Sequence, residues 1–326
     1  MTVDAEILSA LRLAGERCVS GTDLAQQMGI SRSALSAHVE QLRALGYDIE
    51  ASPHLGYRLR RVPDVLHADD VLSRLGATEV IGRDIRVFQE TTSTNDIVDK
   101  LARDGVKEGV AVFAECQTRG RGRLGRKWVS PPGKGLWFSV LLRPKLLPEQ
   151  VTRLTIASGT ALARAIQNQT DLRLEIKWPN DILVGGKKVA GILTELTAEL
   201  DRVHYVVLGI GVDVNLNSSD FPADLRECVT SLKIARGQSM DRAALASAIL
   251  RELDHDYRRA VGKDFESLAE EWQDRCTTLG REVTVQVGSR KVRGRAESLD
   301  AAGALLVRTH HGHLERISGG DVTLER

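Results

Sequence analysis

The first sixty residues constrain the fold most, because they contain three short helical patterns followed by two short alternating runs. Ser20 stands three residues before a carboxylate, which is a capping-box start for a second helix, and Gly29 ends that helix. Ser31 can cap a third helix. Its apolar positions share one face: Leu35, Val39 and Leu42. Two helices joined tightly through a glycine, followed by a hairpin pattern over residues 47–59, predict a winged helix-turn-helix.

The long middle of the chain mixes strand and helix patterns without strict alternation. The strand candidates are apolar or alternating runs: Ile85–Phe88, Val110–Glu115, Leu136–Leu142, Glu175–Trp178 and Tyr205–Val214. The helix candidates have helical periodicity: Asp96–Arg103, Leu154–Gln167 and Arg242–Gly262. Because strands outnumber helices and do not alternate with them regularly, the pattern favours a mixed α+β fold over a doubly wound parallel sheet.

The last fifty residues have a different pattern, with short strands and glycine-bearing turns. The strand candidates are Val283–Val287, Lys291–Ala296, Ala304–Arg308 and Leu314–Ile317. They predict a small β-barrel of the SH3-like kind. Residues 60–64 are typical of a connector, so the sequence predicts three domains with boundaries at 1–62, 63–275 and 276–326.

Charge and cysteine content exclude several protein classes. The 326 residues include 45 Lys and Arg against 44 Asp and Glu, which excludes a chain coated with basic charge for nucleic acid. The four cysteines have neither metal-ligand nor redox spacing and predict reduced thiols: Cys18, Cys116, Cys228 and Cys276. The N-terminus lacks a signal-peptide pattern, and Val206–Val212, the longest apolar stretch, is far shorter than the roughly 20 residues of a spanning helix. We therefore expect a soluble cytoplasmic protein without a membrane partner.

One loop, Thr118–Trp128, combines three glycines with four arginines and a lysine. Glycines let backbone N–H groups turn toward a ligand, and guanidinium groups match phosphate or carboxylate oxygens. The alternative is an exposed arginine–glycine segment that binds RNA without specificity. Because the loop lies between two apolar strands and ends in an aromatic residue and a Pro-Pro-Gly turn, an anion-binding loop is favoured. Its clustered charges repel one another, so we expect the loop to be mobile until an anion binds.

The segment Lys177–Leu193 contains Gly185-Gly186 between two apolar runs, which is a strong hairpin signal. Lys188 shares strand parity with Ala190 and Ile192, so it is expected to point inward and to need an anionic partner, whereas Lys187 is expected to face solvent. The alternative is a pair of exposed turn lysines. Two residues at the preceding corner, Asn180 and Asp181, either bind Mg²⁺ or a ribose or simply form a turn; the sequence assigns no metal ligands.

Two further segments are less specific. Thr91–Asp96 is rich in hydroxyl and amide groups, and by itself it reads as an ordinary helix cap. Gly209–Asn215 is an apolar strand whose glycines indicate a close backbone approach or a bulge. The eight histidines have no metal-ligand spacing, and neither a Ser–His–Asp order nor a phosphate-binding Walker loop is found in the sequence.

Taken in order, these motifs resemble those of the biotin–protein ligases. The matching segments are Ser93–Asn95, Gly120–Trp128, Lys177–Asp181, Lys188–Ile192 and Gly209–Gly211. With the winged helix, the resemblance covers nearly the whole chain and points to the bifunctional type, a ligase that also represses biotin-synthesis genes. It implies a central catalytic domain related to class II synthetases. In that family the biotin carboxylate attacks the α-phosphate of Mg·ATP, and a carrier-protein lysine then attacks the biotinyl-5′-adenylate.

The resemblance also implies which residues would bind each substrate. Biotin contacts are implied at Ser93, Thr94, Asn95, Gln117, Arg121, Gly122, Arg123, Lys188, Gly209 and Gly211. Nucleotide contacts are implied at Arg123, Arg126, Trp128, Asn180, Asp181 and Asp213. The expected catalytic residues are Lys188, Arg123 and Arg121, because two anions must be brought together and fixed cations stabilise the developing charge. Asp213 departs from the asparagine often found in the family, which would add negative charge near the nucleotide and alter the metal requirement.

The implied partners are the biotin carboxyl carrier protein of acetyl-CoA carboxylase, operator DNA, and a second copy of the chain when biotinyl-AMP is bound. The residues expected to face DNA are Arg32, Ser33, Ser36 and His38. Ser36 and Ala37 replace the bulkier or basic residues expected on a recognition helix. Residues 1–62 contain seven basic and seven acidic side chains, so this domain should bind DNA weakly unless it dimerises.

Two other functions remain open at this stage. A lipoate–protein ligase would share the fold and the adenylate chemistry but would lack the arginine–glycine loop. A ligand-sensing repressor without transferase activity would bind biotin and leave the carrier unlabelled.

Overall fold

A computed structural model describes residues 1–324. The chain divides into two compact units, one formed by Met1–Ala77 with Asp241–Ser247 and the other by Thr78–Met240 with the residues from Ala248 onward. No helix in the described residues is both long enough and apolar enough to cross a membrane. The two units are described separately.

The first unit contains the predicted winged helix-turn-helix. Its elements are α1 (Val3–Ala14), α2 (Gly21–Met28), α3 (Arg32–Ala44), β1 (Asp48–Ser52), β2 (Gly56–Arg61) and α4 (Ala68–Leu75). The predicted caps are present, since the Ser20 side chain accepts from the Asp23 N–H and the Ser31 side chain accepts from the Ala34 N–H. Apolar faces of α1, α2 and α3 pack with Tyr47 and Ile49 in one core.

The sequence interpretation missed α4, which lies beyond the proposed connector. The α4 carboxylate Asp70 is buried and pairs with Arg12 of α1 and with Arg74. Arg12 is itself largely buried, and desolvation lowers the pKa of its guanidinium, which Asp70 opposes. By packing, the unit therefore runs to Ala77, past the boundary proposed at residue 62.

The second unit is built on a mixed sheet of seven strands. The strands are β3 (Asp84–Thr91), β4 (Val110–Gln117), β5 (Leu136–Leu142), β6 (Glu175–Lys177), β7 (Asp181–Val184), β8 (Lys187–Ala198) and β9 (Val203–Val212). Their spatial order is β3-β4-β5-β9-β8-β7-β6, with a parallel pair at β3 and β4 and antiparallel pairs elsewhere. The α+β prediction is confirmed, and the five predicted strands of this region are all present.

Five helices accompany this sheet: α5 (Thr94–Arg103), α6 (Thr152–Thr170), α7 (Leu232–Arg236), α8 (Arg242–Val261) and α9 (Phe265–Asp274). Helix α5 connects β3 with β4 and α6 connects β5 with β6, whereas the other three follow β9, and α8 begins among residues counted with the first unit. Helix α5 packs its Val98 and Ala102 against Val112 and Val207 of the sheet. Helix α9 was not predicted, although its buried residues have the helical spacing that would have revealed it: Phe265, Leu268, Ala269 and Trp272.

A second sheet follows in the C-terminal region. Its strands are β10 (Glu282–Val287), β11 (Arg290–Leu299), β12 (Leu305–Thr309), β13 (Leu314–Ile317) and β14 (Asp321–Leu324). They pair in the antiparallel order β13-β12-β11-β10-β14. The predicted strand-rich C-terminal module is therefore confirmed, and β14 is an addition to it. The last two residues of the proposed domain 276–326 lie outside the described part of the chain.

The turn that leads into β3 is held by one buried carboxylate of α8. Asp254 accepts three backbone hydrogen bonds, from Glu79 at 2.9 Å and from Val80 and Ile81 at 2.8 Å each. The Ile81 N–H is buried and must be paired, and the same side chain also accepts from the two N–H groups before it. Asp254 thereby fixes the start of the edge strand β3 against α8.

Candidate functional site

The floor of the candidate site is a patch of sheet without side chains. Gly209 and Gly211 of β9 lie on the same face as Gly191 of β8, which pairs with Gly211. A Cβ added at Gly211 would lie 2.5 Å from the Trp128 indole, and one added at Gly209 would overlap the Asn95 side chain. The predicted close approach to these strand glycines is thus confirmed, because side chains from other elements lie directly on the backbone.

One end of this floor is occupied by the first turn of α5. Ser93, Thr94 and Asn95 are all buried there, and Thr94 donates its N–H to the Gln117 Oε1 at 2.9 Å. Gln117 in turn donates from Nε2 to the Ser130 Oγ at 3.0 Å. Within residues 1–324 the Ser93 side chain makes no capping hydrogen bond, so the ordinary helix-cap interpretation of this cluster is wrong for Ser93.

Lys188 lies at the other end of the floor. Its Nζ is 2.6 Å from the Asp181 Oδ1 and 5.1 Å from the centre of the Trp128 ring, and its side chain is 27% exposed. An ammonium group over an indole face is stabilised by the ring quadrupole as well as by the carboxylate. The inward position and the anionic partner predicted for Lys188 are both found.

Strand parity, from which the inward position of Lys188 was predicted, is the wrong reason for it. A bulge between Ile182 and Leu183 pairs Lys188 with Leu183 and shifts the register, so that the Lys188 ammonium lies over Gly191. Lys188 therefore does not share the face of Ala190 and Ile192, as strand parity alone required. Lys187 is half-buried, with Nζ 3.5 Å from the Arg226 carbonyl oxygen, and it is not simply a solvent-facing lysine.

The arginine–glycine loop folds back on itself and directs its arginines to different partners. Gly122 donates to the Arg126 carbonyl oxygen at 2.7 Å. Arg121 pairs with Asp96 at 2.7 Å, whereas Arg126 pairs with Asp321 of the C-terminal module. Acidic groups of other elements thus offset the repulsion within the loop. The mobility of the loop without an anion stays a prediction.

Arg123 is the loop arginine that reaches the Lys188 end of the floor. Its Nη1 donates to the Asn180 Oδ1 at 3.1 Å, and its Nη2 donates to the Gly320 carbonyl oxygen at 3.3 Å. Desolvation by burial lowers the pKa of this guanidinium, which Asp321 and Asp181 oppose. The structure therefore brings Arg123 to the Asn180–Asp181 corner beside Lys188. It leaves Arg121 at the opposite end of the floor.

Asp213 follows the glycine-bearing strand and is 4% exposed. Desolvation raises the pKa of its carboxyl well above the ordinary value, and the nearby Lys188 charge only partly opposes this. Burial therefore reduces the negative charge that Asp213 would bring to a nucleotide.

The segment after Asp213 covers the same end of the site. Leu216 and Phe221 pack with Trp137, and Trp128 of the arginine–glycine loop packs against this cluster. Trp128 and Trp137 meet edge to face with their ring centres 6.3 Å apart. The loop and the segment 215–221 therefore share one apolar contact.

Sequence reasoning missed two polar residues of the site. Ser139 is fully buried in the middle of β5, and it is the one polar residue of that strand, a signal that could have identified it. Glu195 lies near the end of β8 and accepts a hydrogen bond from the Asn95 Nδ2 at 2.6 Å. Nothing in the sequence around Glu195 separates it from the other exposed acidic residues.

In the first unit, three of the four residues expected to contact DNA lie exposed on α3: Arg32, Ser33 and Ser36. His38 differs from them, because it is half-buried and its Nδ1 lies 2.7 Å from the Asp4 Oδ1 of α1. The exposed residues leave one side of α3 open to a partner, while His38 contacts α1.

Residues 1–324 contain no group of three or more His, Cys, Asp or Glu side chains that could hold a metal ion by themselves. Mg²⁺ in nucleotide sites is commonly bound by one or two carboxylates together with the phosphates and water. Asp181 fits such a role, because its carboxylate lies at the cationic end of the floor. It now pairs with Lys188 and would have to exchange that partner.

Comparisons with known proteins agree with this arrangement. The profile of the Biotin/lipoate A/B protein ligase family matches residues 87–213, an HTH domain profile matches residues 5–58, and the Biotin protein ligase C terminal domain matches residues 278–324. The bifunctional ligase/repressor BirA of Bacillus spizizenii is 36% identical over 324 residues, covering 99% of each chain. BirA of Escherichia coli is 29% identical over 306 residues, covering 94% of this chain and 92% of that protein.

Solved structures are similar as well. The biotin protein ligase from Aquifex aeolicus in complex with biotin and ATP has a TM-score of 0.64 and 30% sequence identity. The match covers 75% of this chain and 99% of that chain.

Proposed function

This chain belongs to the family of bifunctional ligase/repressors of the BirA type, and from that membership we propose that it is an ATP-dependent biotin–protein ligase that also represses transcription. It activates biotin to biotinyl-5′-AMP, releases pyrophosphate, and transfers biotin to a lysine of the biotin carboxyl carrier protein of acetyl-CoA carboxylase. The observation that carries the proposal is the glycine floor between a cluster of neutral hydrogen-bonding groups and a pair of cations.

The distribution of polar, apolar and charged groups along biotin matches that of the site. Its ureido ring would be bound by Thr94 and Gln117, with Ser93 and Asn95 beside them. Its aliphatic chain would lie along Gly209 and Gly211, which have no side chains of their own, and the Trp128 and Asn95 side chains that contact these glycines would shift to admit it. Its carboxylate would then reach Lys188 and Arg123. A neutral head and an anionic tail separated by an apolar chain match the three parts of the site in the same order.

The chemistry requires positioning and charge, and it requires no protein nucleophile. The carboxylate oxygen of biotin bonds to the α-phosphorus of ATP while the bond to pyrophosphate breaks, and negative charge accumulates on the phosphate oxygens. Lys188 and Arg123 offer fixed cations at that place. In the second step the carrier amine attacks the acyl carbon, and AMP leaves with the electron pair.

The nucleotide would occupy the region around the Asn180–Asp181 corner. Trp128 and Asp213 lie at the same end of the floor, near Lys188, and Arg126, which pairs with Asp321, completes the proposed nucleotide contacts. Bound Mg²⁺ would supply charge neutralisation to the phosphates, with Asp181 as its protein ligand. Arg121 starts from an ion pair with Asp96, so its proposed role at the reacting groups requires it to change partner.

Arg123→Gly is expected to weaken retention of the adenylate more than its formation. The variant loses the guanidinium that joins Asn180 to the C-terminal module, so one end of the site opens to water. We expect free adenylate to leave about 10 to 100 times faster, as for a lost charge-assisted hydrogen bond. Trapping released adenylate on free lysine measures this rate. Failure of the variant to form adenylate at all would assign Arg123 to the first step.

We also propose that biotinyl-AMP drives formation of a homodimer that binds operator DNA. The arginine–glycine loop and the segment 215–221 meet at Trp128, so a ligand that orders one would order the other. The exposed residues of α3 provide DNA contacts, but the neutral winged helix needs a second half-site for affinity. Unmodified carrier would consume the adenylate, and repression would begin when carrier is scarce.

Sedimentation with and without biotinyl-AMP tests the dimer. We expect the adenylate to tighten self-association at least tenfold, because it stabilises the ordered form of both segments. Operator DNA should then tighten adenylate binding by the same factor, since coupling between two sites is reciprocal. An unchanged monomer–dimer equilibrium would contradict the proposed switch and leave the ligase function intact.

One assay separates the proposed function from its alternatives. The wild-type chain should release pyrophosphate with biotin and ATP and label a carrier domain; lipoate should release none. Pyrophosphate release with lipoate in place of biotin would indicate a lipoate ligase. Biotin binding with operator binding but without carrier labelling would indicate a sensor without transferase activity. We place the protein in the cytoplasm, where its four free cysteines would stay reduced.

A further inference from the structure

Four side chains form a continuous hydrogen-bonded chain from the floor of the site to the protein surface. The Thr94 Oγ1 is 2.6 Å from the Ser139 Oγ, the Ser139 Oγ is 2.5 Å from the Asn95 Oδ1, and the Asn95 Nδ2 is 2.6 Å from the Glu195 Oε2. The first three residues are buried, and Glu195 is partly exposed. We call these residues the Thr94–Glu195 chain.

The donors in the Thr94–Glu195 chain all point in one direction. A carboxylate only accepts, so Asn95 must donate its amide N–H to Glu195 and turn its oxygen toward Ser139. An amide oxygen also only accepts, so the single hydroxyl proton of Ser139 goes to Asn95. The remaining contact, between two hydroxyl groups, then requires Thr94 to donate.

This direction decides what Thr94 can offer a ligand. Its one proton is committed to Ser139, so toward a ligand its oxygen can only accept a hydrogen bond. The Thr94 Oγ1 also lies 3.2 Å from the Gln117 Oε1, but the hydroxyl proton that donates to Ser139 is not available for this contact. The Gln117 oxygen already accepts from the Thr94 N–H at 2.9 Å. Thr94 is therefore an acceptor toward the ligand.

We propose that Ser139 and Glu195 are positioning residues that fix the Thr94 hydroxyl as an acceptor and thereby make the head end of the site select a ligand that carries an N–H group. The inference rests on the proposed function and specifies how its ligand is chosen. The ureido ring of biotin carries two N–H groups, whereas the dithiolane ring of lipoate carries none. A buried acceptor left unpaired disfavours the ligand without a donor.

Glu195 has the charge that this role needs. Arg121 lies 3.5 Å from the same Glu195 oxygen and 2.7 Å from Asp96, so a guanidinium group stands beside the carboxylate in this structure. In a Glu195→Gln variant the side chain could present either its oxygen or its NH₂ group to Asn95. The Asn95 amide could then rotate, and the direction of the whole chain would no longer be determined.

The test uses full-length Ser139→Ala and Glu195→Gln variants, with Thr194→Ala as the matched control. The Thr194 hydroxyl contacts Thr155 of α6 at 3.0 Å. The Thr194→Ala substitution therefore removes a hydroxyl group from the same sheet and leaves the Thr94–Glu195 chain intact. Calorimetry gives Kd for biotin and for desthiobiotin, which keeps the ureido group and lacks the sulfur. Pyrophosphate release gives kcat at saturating biotin and KM for ATP.

We expect Ser139→Ala to raise Kd for biotin and for desthiobiotin equally, by about 10-fold to 100-fold, as for a disrupted buried hydrogen bond. Glu195→Gln, which stays folded because the residue is partly exposed, should raise both values several-fold. The kcat at saturating biotin and KM for ATP should stay within threefold of wild type, and Thr194→Ala should match wild type throughout. A residue needed only for folding would lower kcat as well.

Two results would overturn the inference. One is an unchanged Kd for biotin in both variants, and the other is a loss of kcat as large as the loss of affinity. If the wild-type chain and both variants bind biotin equally well and label the carrier, the role of Ser139 and Glu195 is refuted and the proposed function stands. A wild-type chain that binds no biotin refutes the proposed function and this inference with it.

Discussion

Replacing Lys188 by alanine is expected to lower kcat for adenylate formation about 100-fold to 1,000-fold, the loss typical for one preorganised donor at a developing charge. The ammonium lies over Gly191, against Asp181 and the Trp128 ring, at the end of the floor where the biotin carboxylate is proposed to bind. Its contribution grows as negative charge builds in the transition state, so kcat should fall more than KM for biotin rises.

Lys187→Ala is the matched control, since it removes the same charge one residue away, where Nζ lies near the Arg226 carbonyl oxygen. That variant should retain wild-type kcat. Initial rates of pyrophosphate release at saturating ATP measure both. A Lys188→Ala variant with normal kcat and only a raised KM for biotin would show that Lys188 binds the substrate and does not stabilise the transition state.

Asp254→Ala is expected to cost about 4 kcal/mol of the free energy of unfolding, because three backbone donors lose their one charged acceptor. For a unit of this size the melting temperature should fall by about 10 °C. The affected turn begins β3, which lies at the edge of the main sheet beside β4. Thermal and urea unfolding of the purified chain measure the loss.

Asp254→Asn separates hydrogen bonding from packing in the same position. Its amide oxygen can still accept from Val80 and Ile81, while its NH₂ group would face the Glu79 N–H. We expect about half of the loss seen with alanine. Equal stability of the wild type and the alanine variant would mean that water replaces the carboxylate at this turn.

Local signals predicted much of this fold. Gly185 and Gly186 both have positive φ, as the hairpin between β7 and β8 required. The strand Leu136–Leu142 has the predicted bounds, and the Ser20 and Ser31 caps are where the sequence placed them. In each case the determining interaction lies within a few residues along the chain.

The features that sequence could not predict depend on contacts between distant segments. The bulge beside Lys188 reverses the face of one residue, and strand parity cannot reveal a bulge. Glu195 joins the site because Asn95, a hundred residues earlier in helix α5, lies over Gly209 of the adjacent strand β9. The different partners of Arg121 and Arg123 likewise follow from the placement of Asp96 and Gly320.

The hydroxyl cluster at the start of α5 was interpreted as a helix cap, and the error in that interpretation has a physical cause. Ser93 stands at the cap position by sequence and by backbone conformation, and propensity alone assigns its side chain to the helix. The side chains of the two residues that follow form hydrogen bonds with distant residues of the sheet instead. Thr94 and Asn95 direct their side chains to Ser139 and Glu195. Residues suited to capping are also suited to ligand binding, because both use short polar side chains.

The bare glycine floor limits how this site can change. Wherever a ligand lies on main chain alone, substitution in the floor can only add atoms and narrow the slot, so those three positions offer no route to a larger substrate. Variation in ligand size must come from the side chains over the floor, namely Trp128 over Gly211 and Asn95 over Gly209. To admit a bulkier carboxylic acid, Trp128 should therefore be replaced by a smaller residue and the strand glycines should be kept.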